Sequence, residues 1–529
     1  MNFVRSISTL LLFCGFFAHA IAPEKSSVPK NSFVVLCYHD ISVDYARDAF
    51  SVRKKEFVEQ LDFLKANYNV VSLQDILDAS KGKKTLPPKA VLLTIDDGLA
   101  SFYENVFPLL KEYKFKAVFA IVGKWTEDGA APDYGFKDHN PKMANWKQLK
   151  EMMDSGWVDI VSHSYNLHQP EVINPQGNQA GMAGFLKYNE ATKTYQSDSD
   201  FMGHVQADLK KNNELIKKHL GKDNSIVVWP YGVFNGLSSK AAKNAGIKIQ
   251  MTLRPGLNNA SDLSYIGRGL VFTTMGIPQF TKALDQAFVD TTPLRMIRID
   301  IDSLWKNTEA ETEVELGDLL EQTLALGANS ILIQAVSENG ESYFPTAQLK
   351  IRGDYLNRAA HTIKYRGRVD STYARLPLSV FKNHKAASAA IRDLAKYTDV
   401  DGIFFEVSAK DNLKLLPFKE FMAAGRLIRP DLEFGLIGQR PPDPRLFNYV
   451  ILNEQQLEDI DLKPSSVKTA KVIASLPRDY KQSASQLTSR GFVNLFFDVN
   501  FKGFTADDDF KHLFSMRKEI STIPKRESK

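Results

Sequence analysis

The stretch LLTIDDG, residues 92–98, sets residues that suit a buried strand before two adjacent carboxylates, Asp96 and Asp97, and a glycine. Neighbouring strand side chains point to opposite faces, so one acid must face into the fold unless the strand ends there. In α/β sheets and barrels, functional groups gather at the carboxyl ends of strands. The two acids therefore mark this strand end as the first place to look for chemistry.

Working outward, residues 33–280 alternate strand-like and helical runs. FVVLCYH is followed by KKEFVEQLDFLKANY, in which Phe57, Leu61 and Leu64 share one helical face. AVLLTI, AVFAIVG, VDIVSH and SIVVWPYG continue the strands, with helical patterns between them. The alternation predicts an α/β domain with a mainly parallel sheet. Long loops at 125–141 and 169–200 break the rhythm and read as functional rims or disordered segments. The second half restarts the alternation. Strands are expected at 296–300, 330–335, 368–378, 402–406, 433–438, 449–453, 471–475 and 494–499. Eight strands with helical stretches between them suggest a (β/α)₈ barrel. The boundary is expected near 281–294, giving segments 33–285 and 293–525.

At 529 residues the chain is too long for one core, and its net charge of +5 with no dense basic run gives no case for nucleic acid. The opening 22 residues hold Arg5, an apolar run and two A-x-A sites, the layout of a secretory leader cut after Ala20 or Ala22. Export to the periplasm is the expectation, with outer-membrane association left open. Of the two cysteines, Cys14 falls in that leader, so Cys37 is expected to be a lone buried thiol and the fold to rely on its core.

The same rim collects more groups. His39 closes one strand, His163 closes another, His168 follows in HSYNLH, and Pro230 and Tyr231 end a third. Two imidazoles and a carboxylate suit Zn²⁺ or Fe²⁺ with open positions left over. With Asp97 as ligand, Asp96 is free to act as base, which explains the adjacency, and His39 can act as an acid on the leaving group. A DDG triplet alone also suits an ordinary turn. The convergence of several strand ends is what makes it a site.

TIDDG, HSYNLH and WPYG resemble the NodB-type polysaccharide deacetylases, the fourth family of carbohydrate esterases. Within them, the likeness is to the poly-β-1,6-N-acetyl-D-glucosamine N-deacetylases of Gram-negative biofilm systems, which also carry a C-terminal barrel. The resemblance implies a distorted (β/α) barrel deacetylase domain followed by a (β/α)₈-like barrel. It implies Asp96 as base, His39 as acid, and Tyr231 as an oxyanion donor through its backbone N–H. Asp97, His163 and His168 would hold a divalent ion: Zn, Fe(II), Ni or Co. Val228 stands where the family carries the arginine of R-x-P-Y, so the group that orients Asp96 is left open. Trp125, Tyr134, Trp229 and Pro230 are candidates for contact with sugar. An outer-membrane export porin is a candidate partner.

A hydrolytic barrel needs two carboxylates near its strand ends. Asp300, Asp302, Glu406 and Asp498 are the candidates. Where relatives of this kind cleave their polymer, the fourth barrel strand leads into an acidic cluster. Here GIFFEVSAKDN offers only Glu406 and then Asp411, so a polymer-binding barrel is favoured over a glycosidase. The alternatives are deacetylation of peptidoglycan or chitin-like oligosaccharides, and a non-catalytic polysaccharide-binding export protein.

Overall fold

Seven short parallel strands wrap around the first domain: β1 (Ser32–Tyr38), β2 (Ala90–Ile95), β3 (Ala117–Ile121), β4 (Val158–Ser162), β5 (Ile226–Val228), β6 (Ile249–Thr252) and β7 (Tyr265–Gly267). They pair in that order, and β1 pairs β2 from Phe33↔Ala90 to Tyr38↔Ile95. All six residues of β2 are buried. Each large apolar side chain so buried contributes about 1.5–3 kcal/mol. Val91, Leu93 and Ile95 share a cluster with Leu61, Leu64, Phe107 and Leu110 of the covering helices, while Leu92 joins Val35, Val118 and Val228. The computed structural model describes residues 28–43, 48–132, 141–273, 275–288, 294–306, 308–326, 328–367, 369–458, 471–476 and 494–497. The expected leader at 1–22, Tyr134 and Asp498 lie outside these residues, as do 289–293 in the expected boundary. Among the described residues no helix is long and apolar enough to cross a membrane.

The sheet all but closes on itself at its seam. Gly267 pairs Thr252 of β6, and two residues on, Gly269 pairs Leu36 of β1. The single residue between them, Arg268, is fully buried.

The second half forms a closed barrel of eight parallel strands, in chain order. These are Arg295–Ile299, Ser330–Gln334, Ser371–Pro377, Gly402–Glu406, Glu433–Ile437, Tyr449–Leu452, Lys471–Leu476 and Leu495–Phe497. Met296, Leu332, Tyr373, Phe404, Tyr449, Ile473 and Phe496 form one buried cluster on these strands. Gly435 is required here: a Cβ on it would lie 2.3 Å from the Phe404 ring.

The expected loop at 125–141 begins as a helix, Gly123–Asp128, which carries Trp125. The one at 169–200 holds two small hairpins, Pro170–Val172 with Gln179–Gly181 and Tyr188–Asn189 with Thr194–Tyr195, before the helix Asp198–Leu220 begins.

Candidate active site

Strand β2 ends at Ile95, and the next two residues diverge. Asp96 continues the face of Leu92 and Thr94 into the interior and is 1% exposed. At Asp97 the backbone turns to φ 76°, and Gly98 follows at 83°. That break releases the second acid from the strand alternation. Ser164, between the two histidines, has φ 71°, and Tyr231 has φ 57°. Left-handed backbone outside glycine costs of order 1–3 kcal/mol and tends to gather at functional sites.

Asp97 Oδ1 lies 3.5 Å from His163 Nε2 and 3.3 Å from His168 Nε2. It is buried and has no hydrogen-bond partner. One ligand atom from each of the three residues falls within 4.8 Å of the others. Two ligands roughly 2.1 Å from one tetrahedral ion sit about 3.4 Å apart, so the spacing fits a divalent cation. His163 Nδ1 sits 2.7 Å from the Val228 carbonyl. Donating there leaves Nε2 with its lone pair turned to Asp97. Burial alone would raise the Asp97 carboxyl, but the two imidazoles, with His39 nearby, hold it well below the usual carboxylate range. Burial pushes His168 down against the pull of Asp97, which keeps it a neutral ligand at pH 7. The rings of Trp125 and Tyr231 flank His168 at 4.7 and 4.5 Å.

The group that orients Asp96 is Arg268. Its Nη1 and Nη2 donate to the two carboxylate oxygens at 2.7 and 2.9 Å. Nη1 also reaches Thr94 Oγ1 at 3.1 Å, and Nε reaches the Thr252 carbonyl at 3.2 Å. The guanidinium thus comes from the sheet seam and not from β5, which ends at Val228. Burial would raise Asp96, but Arg268, with His163 and His39, outweighs it and holds the carboxyl below its ordinary value. The Cys37 thiol, pushed well up by burial and so protonated, donates to Asp96 Oδ2 at 3.5 Å. His39 belongs to the same cluster: one ligand atom each from it, Cys37 and Asp96 lie within 4.8 Å of one another. Its Nδ1 is buried with no hydrogen-bond partner.

Two further residues build the loop that carries the histidines. Asp208, on the helix Asp198–Leu220, accepts the N–H of Tyr165 at 2.8 Å and of Asn166 at 2.7 Å. Burial pushes its carboxyl up to about 6, against these two N–H groups and Lys211. One turn on, Asn212 donates to Ser162 Oγ at 2.7 Å. Their i, i+4 spacing on a helix was the only sequence signal, and it is a common one. Asp208→Ala should weaken metal binding about 10–100-fold, the usual cost of losing a group that supports ligands. Titrating the metal-free protein with Zn²⁺ checks it.

The structure corrects several expectations. Trp229 is fully buried, donates from Nε1 to Gln250 at 3.1 Å and stacks on Phe234, so it offers no face to a sugar. Trp125 is 3% exposed and lies behind His168. Pro230 is buried in the tight turn Pro230–Gly232. Tyr231, 40% exposed, presents its aromatic ring at this rim. Asp300 and Glu406 stand apart from this site, at carboxyl ends of barrel strands. Arg375 reaches Asp300 at 2.9 Å and Glu406 at 3.3 Å, and Arg298 holds Asp300 at 2.9 Å.

Residues 83–250 match the family model described as polysaccharide deacetylase, and residues 298–422 match hypothetical glycosyl hydrolase family 13. The poly-beta-1,6-N-acetyl-D-glucosamine N-deacetylase of Escherichia coli K12 is 29% identical over 361 residues, 66% of this chain and 53% of the E. coli chain. This chain therefore spans about half the length of that relative. Among solved structures, a de-N-acetylase from Aggregatibacter actinomycetemcomitans is 33% identical, with 48% of this chain and 99% of that one covered and a TM-score of 0.44. The BpsB deacetylase domain of Bordetella bronchiseptica is 35% identical, with 46% and 97% covered and a TM-score of 0.41. Over residues 83–250, the first domain is thus similar to the polysaccharide deacetylase family.

Proposed function

We propose that the chain removes N-acetyl groups from poly-β-1,6-N-acetyl-D-glucosamine by metal-dependent hydrolysis. The carrying observation is a three-donor cluster, Asp97, His163 and His168, beside an ionised Asp96 gripped by a buried arginine. The substrate follows from the activity for which the E. coli and Staphylococcus aureus relatives are named. Asp97, His163 and His168 would hold Zn, Fe(II), Ni or Co, and the ion when bound supplies Lewis acidity toward water and an acetyl carbonyl. Asp96 takes the proton of the attacking water. His39 returns a proton to the departing amine nitrogen, so that acetate and a free amine result. The Tyr231 backbone N–H donates to the carbonyl oxygen as negative charge develops on it. Acetate release from the polymer should be abolished by a chelator and by His163→Ala, and the chelated enzyme should recover with one of the four ions. Undiminished release after chelation would refute metal dependence. Release from chitin oligosaccharides but not from the polymer would move the reading to that substrate.

The barrel, in this proposal, holds the polymer without cutting it. Arg375 pairs with both Asp300 and Glu406. Burial would raise Asp302, but Tyr343, the Glu338 N–H, Gln334 and Arg352 hold it below its ordinary value. A glycosidase acid must instead be protonated near neutral pH. De-N-acetylated polymer incubated with the protein should keep its chain length. Shortening that Glu406→Gln abolishes would reverse this assignment. Export to the periplasm completes the proposal on the strength of the leader-like N-terminus, with an outer-membrane porin as the partner that the likeness to biofilm deacetylases suggests.

A further inference from the structure

The two hairpins between residues 170 and 195 touch the catalytic rim at one end and the barrel at the other. At the rim, Gly181 lies against the Tyr231 ring: a Cβ there would be 2.7 Å from Tyr231 Cδ2 and 2.7 Å from Val233 Cγ2. Gly184 is as tight, with its Cβ position 2.9 Å from Val233 Cβ, and its carbonyl accepts Asn235 Nδ2 at 2.9 Å. The hairpin backbone thus backs a residue with φ 57° whose ring lies 4.5 Å from His168. Nothing bulkier than glycine fits at that contact.

At the far end the same segment is held by the second domain. Asn178, in the turn of the first hairpin, is fixed by Asn174 through two hydrogen bonds of 2.9 Å. Its Oδ1 also accepts Arg358 Nη1 at 3.2 Å. Arg358 is itself anchored, with Nε 3.0 and 3.1 Å from the two Glu313 oxygens. The neighbouring Asn357, fully buried, donates to the Ile173 carbonyl at 3.5 Å and accepts Asp399 N at 3.0 Å. In the second hairpin Tyr195 donates to Asp354, and its ring lies 4.8 Å from that of Tyr397. Lys396 pairs with Asp198 where the hairpins end. Every partner from residue 313 onward belongs to the barrel domain.

We infer that the barrel domain positions the deacetylase site: through Arg358 and Asn357 it seats the rim hairpin whose Gly181 braces Tyr231. These two are positioning residues, since neither touches substrate. The inference rests on the reading of Tyr231 as an oxyanion donor. A donor aimed at charge that forms only in the transition state affects kcat more than KM. Displacement of a catalytic group by about 1 Å costs up to about 100-fold in rate.

Full-length Arg358→Ala, Gly181→Ala and the double variant test this by acetate release from the polymer and by amide hydrogen exchange. Arg358→Ala should lower kcat about 10- to 100-fold with KM within about twofold. Exchange should quicken at residues 170–181 and 231–234 but not in β2. The double variant should be no slower than the slower single, because both act on one contact. Independent effects that multiply, or unchanged exchange at 231–234 in Arg358→Ala, would overturn the inference. A wild type that releases no acetate would sink the deacetylase reading alone, because the exchange measurement still decides whether the barrel braces Tyr231. Arg358→Lys, which keeps the charge but loses the fork, should recover part of the protection and part of kcat.

Discussion

Asp96→Asn should cut acetate release by at least about 100-fold, the range over which a positioned general base contributes. The amide keeps the shape of the carboxylate and still accepts a hydrogen bond from Arg268, but it cannot take a proton from water. The substitution also leaves Arg268, which is fully buried, without its countercharge. Breaking one side of a buried pair costs about 3–5 kcal/mol, so lost activity has to be separated from lost fold. A double variant, Asp96→Asn with Arg268→Met, removes the stranded charge and should regain most of that stability while activity stays absent. Zn²⁺ affinity measured on both proteins should stay near that of the wild type, since Asp96 is not among the three converging donors. Asp96→Asn with wild-type turnover would remove Asp96 from the mechanism.

Arg268→Met carries the second large effect, and its sign depends on pH. In the wild type the Asp96 carboxyl sits below its ordinary value although burial opposes this, because Arg268 leads the groups that lower it. Its contribution to stability is therefore present above the ordinary carboxylate pKa and is lost as pH falls through the depressed one. Without the guanidinium, burial has no leading opponent and the carboxyl titrates above its ordinary value. Its contribution then declines as pH rises through the raised pKa, the reverse of the wild type. Urea unfolding at pH 4 and pH 7 should show the variant losing about 3–5 kcal/mol at pH 7 and less at pH 4. The acid limb of kcat/KM should move to higher pH, since a base must be deprotonated to act. An unmoved limb would mean that Arg268 holds the fold but does not tune the base. Arg268→Lys should recover charge but not the bidentate grip, and so land between the two.

Much of this was legible in the chain. The eight barrel strands stood out because runs such as SILIQ and GIFFE are apolar and bounded by turns, and they closed in chain order. Asp96, Asp97, His163 and His168 were legible because strand ends in parallel α/β folds share one rim, so distant residues can be placed together. Arg268 was not, for a physical reason. It sits between a three-residue strand and a two-residue pairing, and its partner is set by where the sheet closes rather than by any local period. Trp229 failed in the opposite sense: position at a strand end says nothing about which face the ring takes, and here it points into a core with Phe234 and Ala241. The glycines of the rim hairpin looked like loop composition. The Tyr231 ring and Val233 across from Gly181 give that glycine a steric reason that only the fold reveals.

The seam has a consequence for how the protein is made. Asp96 and Arg268 are 172 residues apart, and the arginine lies on the last part of the first domain to join the sheet. A chain growing from its N-terminus has the acid long before it has the cation. Closing a dry interior around a bare carboxylate is costly, so the early strands gain little by sealing prematurely. Once Arg268 arrives, one event completes the sheet and neutralises the acid. The ion pair thus acts as a latch that couples finishing the fold to arming the proposed base, and a chain stopped short of residue 268 has neither.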